Sequence, residues 1–298
     1  STRNARGILR DPPPGSVVIL TMQTRHGAIA LGERTQIMAI VNITPDSFSG
    51  DGIAGTLDVI RERVRQAEID GATIVDLGAE STRPGHQAIS AQEELDRLIP
   101  ALITAREVTN LPISIDTMKA EVARSALETG ADIINDIRGL TFDPEMAGLV
   151  AAAGVPIVIM HDATPELDID FIESIKRELL RRVEIAAKAG VARNNIILDP
   201  GFGFGKSWHQ NLGLLDRLNE LKSLGFPILA GISRKRMIGW ALGLPENERL
   251  EGTIATTVMA IERGADIIRV HDILPNARAA IMTDAVVRQH PVAPREWQ

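Results

Sequence analysis

The sequence predicts an α/β fold: a (β/α)8 TIM barrel preceded by a short N-terminal β-hairpin. Three observations carry this. Eight short apolar, β-branched runs alternate with amphipathic stretches along most of the 298 residues. The runs are nearly continuous in apolar character, as parallel strands buried on both faces are. Several amphipathic stretches stop at a glycine just before the next run, where a helix ends in a left-handed cap. Eight such units in one chain favour a closed barrel, which typically needs about 250 residues. An open doubly wound sheet is the alternative that pattern alone leaves standing.

Taken in order, residues 1–34 form an extension, and residues 35–298 form a single barrel domain. Pro12-Pro13-Pro14-Gly15 is a stiff linker. The strand-like runs 17–22 and 28–31, around His26-Gly27, predict a hairpin that closes the bottom of the barrel. Strands are expected at 36–42, 73–78, 112–116, 132–136, 156–161, 196–199, 227–233 and 267–271. Apolar residues at three- and four-residue spacing predict helices over 56–70, 91–107, 118–129, 143–153, 171–189, 209–223, 235–242 with 250–263, and 275–289. The cap glycines are Gly71, Gly130, Gly154, Gly190, Gly225 and Gly264.

Composition excludes several function classes. Asp and Glu number 39 against 32 Lys and Arg, a net charge of −7, with no basic stripe to hold nucleic acid. There is no cysteine, hence no disulfide and no thiolate metal site. No two of the six histidines have the spacing of a helical zinc motif. No apolar run reaches the roughly 18 residues of a membrane span, and Ser1–Arg10 lacks a signal-peptide core. A cytoplasmic location is expected.

Polar residues gather where the predicted strands end: Asn42, Glu80–Gly85, Asp116, Asn135 with Asp136, His161, Asp199, Ser233–Lys235, and Arg269 with His271. In a barrel all these ends converge on one mouth, the place of the active site. A single strand-end Asp is often just a helix N-cap; such groups at all eight ends point to a site. The segment Asp199-Pro-Gly-Phe-Gly-Phe-Gly-Lys206-Ser207 narrowly misses the nucleotide phosphate-loop pattern, because Pro200 stands where Gly is needed. Its glycines suit the approach of backbone to a flat ligand, with Phe202 or Phe204 as a wall. The loop 42–52 and the segment Glu80–Gly85 suit lids. Arg269 and His271 share one face of their strand and read as an anion site; the plainer reading is a salt bridge to Asp272 or Asp266. A hard dication such as Mg2+, held by one or two protein oxygens plus phosphate, is compatible with the residues.

These residues carry a family resemblance. Asn42-Ile-Thr-Pro-Asp-Ser-Phe48, Glu80-Ser-Thr-Arg-Pro-Gly85, Ile113-Ser-Ile-Asp-Thr117, Ile134-Asn-Asp-Ile137, Met160-His161, Asp199–Lys206, Ser233-Arg-Lys235 and Ile268-Arg-Val-His271 resemble, in order, the signature set of dihydropteroate synthases. The resemblance implies a TIM-barrel transferase of folate biosynthesis. Such an enzyme condenses 7,8-dihydropterin-6-ylmethyl diphosphate with p-aminobenzoate to give 7,8-dihydropteroate and pyrophosphate, by dissociative substitution.

It further implies that Asp116, Asn135, Asp199 and Lys235 hold the pterin, with Met160 in its apolar wall. Asn42, Arg269 and His271 would hold the diphosphate, with Asn42 near Mg2+. Phe48, Thr82, Arg83, Pro84, Phe204 and Ser233 would shape the p-aminobenzoate side, making the enzyme a sulfonamide target. A homodimer is implied by the resemblance alone. The segment Gly50-Asp51-Gly52 departs from the usual Asp-Gly-Gly, and Asp162–Glu166 is short and acidic, its role left open. A corrinoid methyltransferase acting on methyltetrahydrofolate would share the pterin residues but not the two lid motifs or the anion pair. A catalytically silent pterin-binding paralogue should have lost some of this set.

Overall fold

The computed structural model describes residues 20–43, 52–80, 88–166 and 169–289. The expected lid and p-aminobenzoate residues Phe48, Thr82, Arg83 and Pro84 lie outside these, as do the linker at 12–15 and most of loop 42–52.

Strands β1 (Leu20–Thr24) and β2 (Gly27–Leu31) form an antiparallel hairpin turning at Arg25-His26. Eight parallel strands follow: β3 (Gln36–Asn42), β4 (Ile74–Gly78), β5 (Ile113–Asp116), β6 (Ile133–Asp136), β7 (Ile157–Met160), β8 (Ile196–Asp199), β9 (Leu229–Ala230) and β10 (Ile267–Val270). They pair in chain order from β3 to β8, and β10 joins β3 to β9. Leu198 on β8 bridges Ile228 beside β9, so the ring closes and the open-sheet alternative falls. The six cap glycines named above all have positive φ, from +66° to +116°.

The helices between strands are α1 (Gly52–Ile69), α2 (Ala91–Arg106), α3 (Ala120–Thr129), α4 (Met146–Ala153), α5 (Phe171–Ala189), α6 (Trp208–Asp216), α7 (Arg236–Leu242), α8 (Leu250–Glu262) and α9 (Ile273–Val287). Two expectations are corrected. The seventh strand is regular only over Leu229–Ala230, because the chain turns away through Gly231 to Arg234, whose φ is +57°. The helix expected at 209–223 divides into α6 and a 3-10 turn, Leu218–Leu224.

Period two along each strand sorts side chains between a layer under the helices and the barrel interior. At the lower level of the interior, Met38, Ile74, Ile133, Val158, Ile197, Leu229 and Ile267 pack against Met22, Ile29 and Leu31 of the hairpin. The hairpin thus seals the bottom as the sequence predicts. Two residues higher on the same rows stand Asp76, Asn135, Met160, Asp199, Gly231 and Arg269, with Asp116 beside them on β5. The closed bottom leaves the upper end as the place where a ligand can enter.

Candidate active site

Three buried groups, Asp76, Asp116 and Asn135, and the half-buried Arg269 meet at the centre of the mouth from four different strands. Arg269 on β10 reaches across the interior, donating from Nε to Asp76 Oδ2 at 2.6 Å and from Nη2 to Asp116 Oδ2 at 2.7 Å. Asn135 Nδ2 lies 3.4 Å from Asp76 Oδ2. The second oxygen of each carboxylate, Asp76 Oδ1 and Asp116 Oδ1, is buried with no hydrogen-bond partner, and so is Ser114 Oγ. An unsatisfied buried polar atom costs about 1–3 kcal/mol, so the acceptor left open on Asp116 is poised for a donor that arrives with a ligand. Burial, reinforced by the neighbouring Asp76 carboxylate, pushes Asp116 up to about 7 against the pull of Arg269. Burial also opposes the charge on Arg269, but Asp76 and Asp116 overcome it and hold the guanidinium protonated. Arg269 is therefore ion-paired, but not with Asp272 or Asp266. Those two pair with Arg234 at 2.6 Å and Lys222 at 3.1 Å.

The segment after β8 folds back over this centre. Asp199 Oδ1 accepts from Gly201 N at 2.7 Å, and burial raises its pKa, opposed by that N–H and by Lys235. Gly201 and Gly205 have positive φ, and a Cβ on either would collide with backbone carbonyls of His161 or Ala163. The loop is thus built for close packing. Lys206 is its hub. Its ammonium lies 2.9 Å from His161 Nδ1 and donates to the carbonyls of Gly201 at 3.0 Å and Phe204 at 2.9 Å. A lysine so engaged organises the loop and does not cradle a nucleotide phosphate. Phe204 turns its ring towards Lys235, whose Nζ is 4.4 Å from the ring centre. Burial lowers Lys235 to about 8, opposed by Asp199.

Above these groups opens a cavity of about 990 Å³. Asn42, Asp116, Phe204, Ser233, Lys235, Arg269 and His271 all line it. Asn135, Met160 and Asp199 are buried on the adjoining strand ends, Asn135 beside Asp116 and Met160 beside Asp199. Ser233 Oγ sits 3.0 Å from His271 Nδ1. Every expected site residue within the described segments therefore comes to one mouth.

The sequence pattern of the pterin-binding enzyme family matches residues 38–271. The chain belongs to the pterin-binding enzyme family. A dihydropteroate synthase of Clostridium beijerinckii is 49% identical over 260 residues, covering 87% of this chain and 97% of its own length. A solved dihydropteroate synthase of Clostridium difficile, in the presence of pteroic acid, superposes with a TM-score of 0.84 at 48% identity, covering 87% of this chain and 98% of its own. That of Xanthomonas albilineans with 4-aminobenzoic acid gives 0.85 at 38% identity, covering 93% and 100%. The reaction of this pterin-binding enzyme is that of a dihydropteroate synthase, a transferase step of folate biosynthesis.

Around the pterin-binding enzyme's mouth, several flanking groups work structurally. Lys119 Nζ joins Glu80 and Glu94, each at 2.6 Å, and Glu80 Oε1 accepts from Ile89 N at 3.1 Å. This ties Glu80 to α2, to Lys119 and to Ile89. Asp136 makes a local turn, accepting from Arg138 N at 2.9 Å and Leu140 N at 2.7 Å; it caps no helix, since α4 begins only at Met146. Asp162, in the short acidic loop, is clamped by Arg182 at 2.6 Å and Arg138 at 3.1 Å. Attention to strand ends passes over Asp76, a mid-strand residue. The signal was nonetheless present: an Asp two residues above inward-facing Ile74 must point into the interior.

Proposed function

We propose that Asp116, Asn135, Asp199 and Lys235 bind the dihydropterin ring, while Arg269, His271 and Asn42 receive its diphosphate. The observation that carries this reading is the pair of buried carboxylates under a large cavity, flanked by Lys235 and Arg269. A pterin edge presents N–H donors that suit the open oxygen of Asp116 and the carboxylate of Asp199. Its carbonyl and ring nitrogen suit Lys235 and the Asn135 amide. Met160, buried beside Asp199, supplies the apolar wall. Phe204 and Ser233, with Phe48, Thr82, Arg83 and Pro84, take the p-aminobenzoate side.

The reaction breaks the bond between the pterin methylene carbon and the bridging diphosphate oxygen. The electron pair leaves with pyrophosphate, and positive charge spreads over the pterin. Asp116 and Asp199 stabilise that charge, while Arg269 and His271 stabilise the departing anion. The arylamine nitrogen then bonds to the methylene carbon and gives up a proton to the released pyrophosphate. Preorganised charge of this kind is usually the largest catalytic contribution.

Mg2+ fits this donor set in a limited way. Among the described residues no three acidic or histidine side chains gather into a metal cage, whereas Asn42, whose side chain carries an amide oxygen, lines the cavity. One protein oxygen plus diphosphate oxygens is the manner in which Mg2+ is commonly held. Bound there, it would neutralise charge on the leaving diphosphate.

We place the enzyme in the cytoplasm as a homodimer. No helix among the described residues is long and apolar enough to cross a membrane. Helices α8 and α9 expose Val258, Met259, Ile281, Met282, Val286 and Val287, an apolar face of the kind that marks an interface. Light scattering should give twice the chain mass, and Met282→Glu with Val286→Glu should return it to one chain. The catalytic reading is tested by incubating the protein with the pterin diphosphate, p-aminobenzoate and Mg2+, then detecting dihydropteroate by mass. Failure of that product to form overturns it.

A further inference from the structure

We propose that Asp76 is a positioning residue for Arg269: it grips the guanidinium by one edge so that the opposite edge meets the departing diphosphate. The inference rests on the reading of Arg269 as a diphosphate ligand. Asp76 is fully buried on the inward row of β4, on a different strand from Arg269. Its Oδ2 takes Arg269 Nε at 2.6 Å, and Asp116 Oδ2 takes Nη2 at 2.7 Å. Among the described residues Nη1 has no acceptor.

A guanidinium has five N–H donors in a rigid plane, so fixing two of them fixes where the rest point. Asp116 alone cannot do this reliably during turnover, because the pterin ring draws on the same carboxylate. Asp76 holds Nε independently of the ring. Asn135 Nδ2, at 3.4 Å, holds Asp76 in turn, linking a pterin-binding residue to the anion-binding residue through one carboxylate.

The charge arithmetic gives a test that a merely structural role would not pass. Paired with Arg269, the Asp76 carboxylate aims a cation at the diphosphate. Without Arg269 it is a buried anion near the place where an anion must bind. Asp76→Asn should therefore have opposite effects in the two backgrounds.

Calorimetry would measure two probes, inorganic pyrophosphate with Mg2+ and the diphosphate-free dihydropterin alcohol, on four proteins: the natural chain, D76N, R269A and the double variant. D76N should weaken pyrophosphate about tenfold, the scale of one charge-assisted hydrogen bond. It should leave the pterin alcohol within about twofold. In the R269A background D76N should strengthen pyrophosphate binding.

Equal weakening of both probes by D76N would show a ring contact or general disruption and overturn the inference. So would unchanged pyrophosphate binding in D76N, or the same loss in both backgrounds. If R269A itself leaves pyrophosphate binding unchanged, the diphosphate reading of Arg269 falls first, and this inference with it. Thermal unfolding of each variant is followed alongside. Should R269A or D76N fail to fold, R269Q and D76S replace them with the same expected signs.

Discussion

The lower end of the barrel and its upper mouth are built from the same inward rows, yet their carboxylates are treated differently. At the lower end Asp132 accepts from His26 N at 3.1 Å, Ile113 N at 3.0 Å and Arg106 Nη2 at 2.9 Å, with His26 Nδ1 3.0 Å away. Asp284 there accepts from Thr35 N at 2.6 Å, Thr35 Oγ1 at 2.8 Å and Arg288 Nε at 2.8 Å. Both oxygens of each are used. At the mouth Asp76 and Asp116 each keep one oxygen with no partner. Both ends bury charge, so burial alone does not mark a site. The complete carboxylates serve the fold, whereas Asp116, which lines the cavity, keeps an oxygen open to a ligand, and Asp76, set behind the cavity, spends its other oxygen on Arg269. The bottom has its own exception in Arg106 Nε, also buried without a partner. There a donor edge is left over from a guanidinium already engaged through Nη1 and Nη2.

The comparison breaks if changes at the two ends act alike. The largest effect expected is on stability at the bottom. Asp132→Ala leaves Arg106 without its buried counter-charge and should cost about 3–5 kcal/mol. Urea unfolding should show this, with kcat unchanged below the melting range. At the mouth, Asp116→Asn or Lys235→Ala should cut turnover by about 10²–10³, or about 3 kcal/mol, which is the scale of one preorganised group. The melting temperature should hardly move, and undiminished turnover would sink the assignment.

A pH profile sharpens the same contrast. The mouth needs Asp116 ionised and Lys235 protonated. Activity should therefore fall below about 7 as Asp116 takes a proton, and above about 8 as Lys235 loses one. The pH dependence of kcat/KM reports these free-enzyme groups. Lys235→Arg should remove the alkaline limb, whether or not it lowers the maximum. The smallest effect is again at the bottom. His26→Ala deletes one of several partners of Asp132 and should cost about 1 kcal/mol by unfolding, with the pH profile of activity unmoved.

Most of the fold was legible because its signals are local. The glycine caps depend on backbone freedom at one position, and the strands depend on runs of apolar residues. The seventh strand is shorter than the apolar run Pro227–Ile232 predicts, because the path after Ala230 is decided by the loop that carries Lys235. Asp116, Asn135, Asp199, Lys235, Arg269 and His271 were legible as site residues because each stands at or near a strand end, and a barrel gathers those ends. Asp76 is not legible in the same way, because its importance depends on Arg269, a partner 193 residues away.

From the sequence alone came the eightfold alternation, the hairpin plug and the types of residue that ring the mouth, since each rests on periodicity or on motifs within a few residues. Tertiary structure alone decided which charges pair. It put Arg269 on Asp76 and Asp116 while Asp266 and Asp272 went to other cations, and it turned Lys206 onto the carbonyls of its own loop. The reason is that the energy of a charge depends on what surrounds it at a few ångströms. Those surroundings exist only after eight separate strands have closed into one ring.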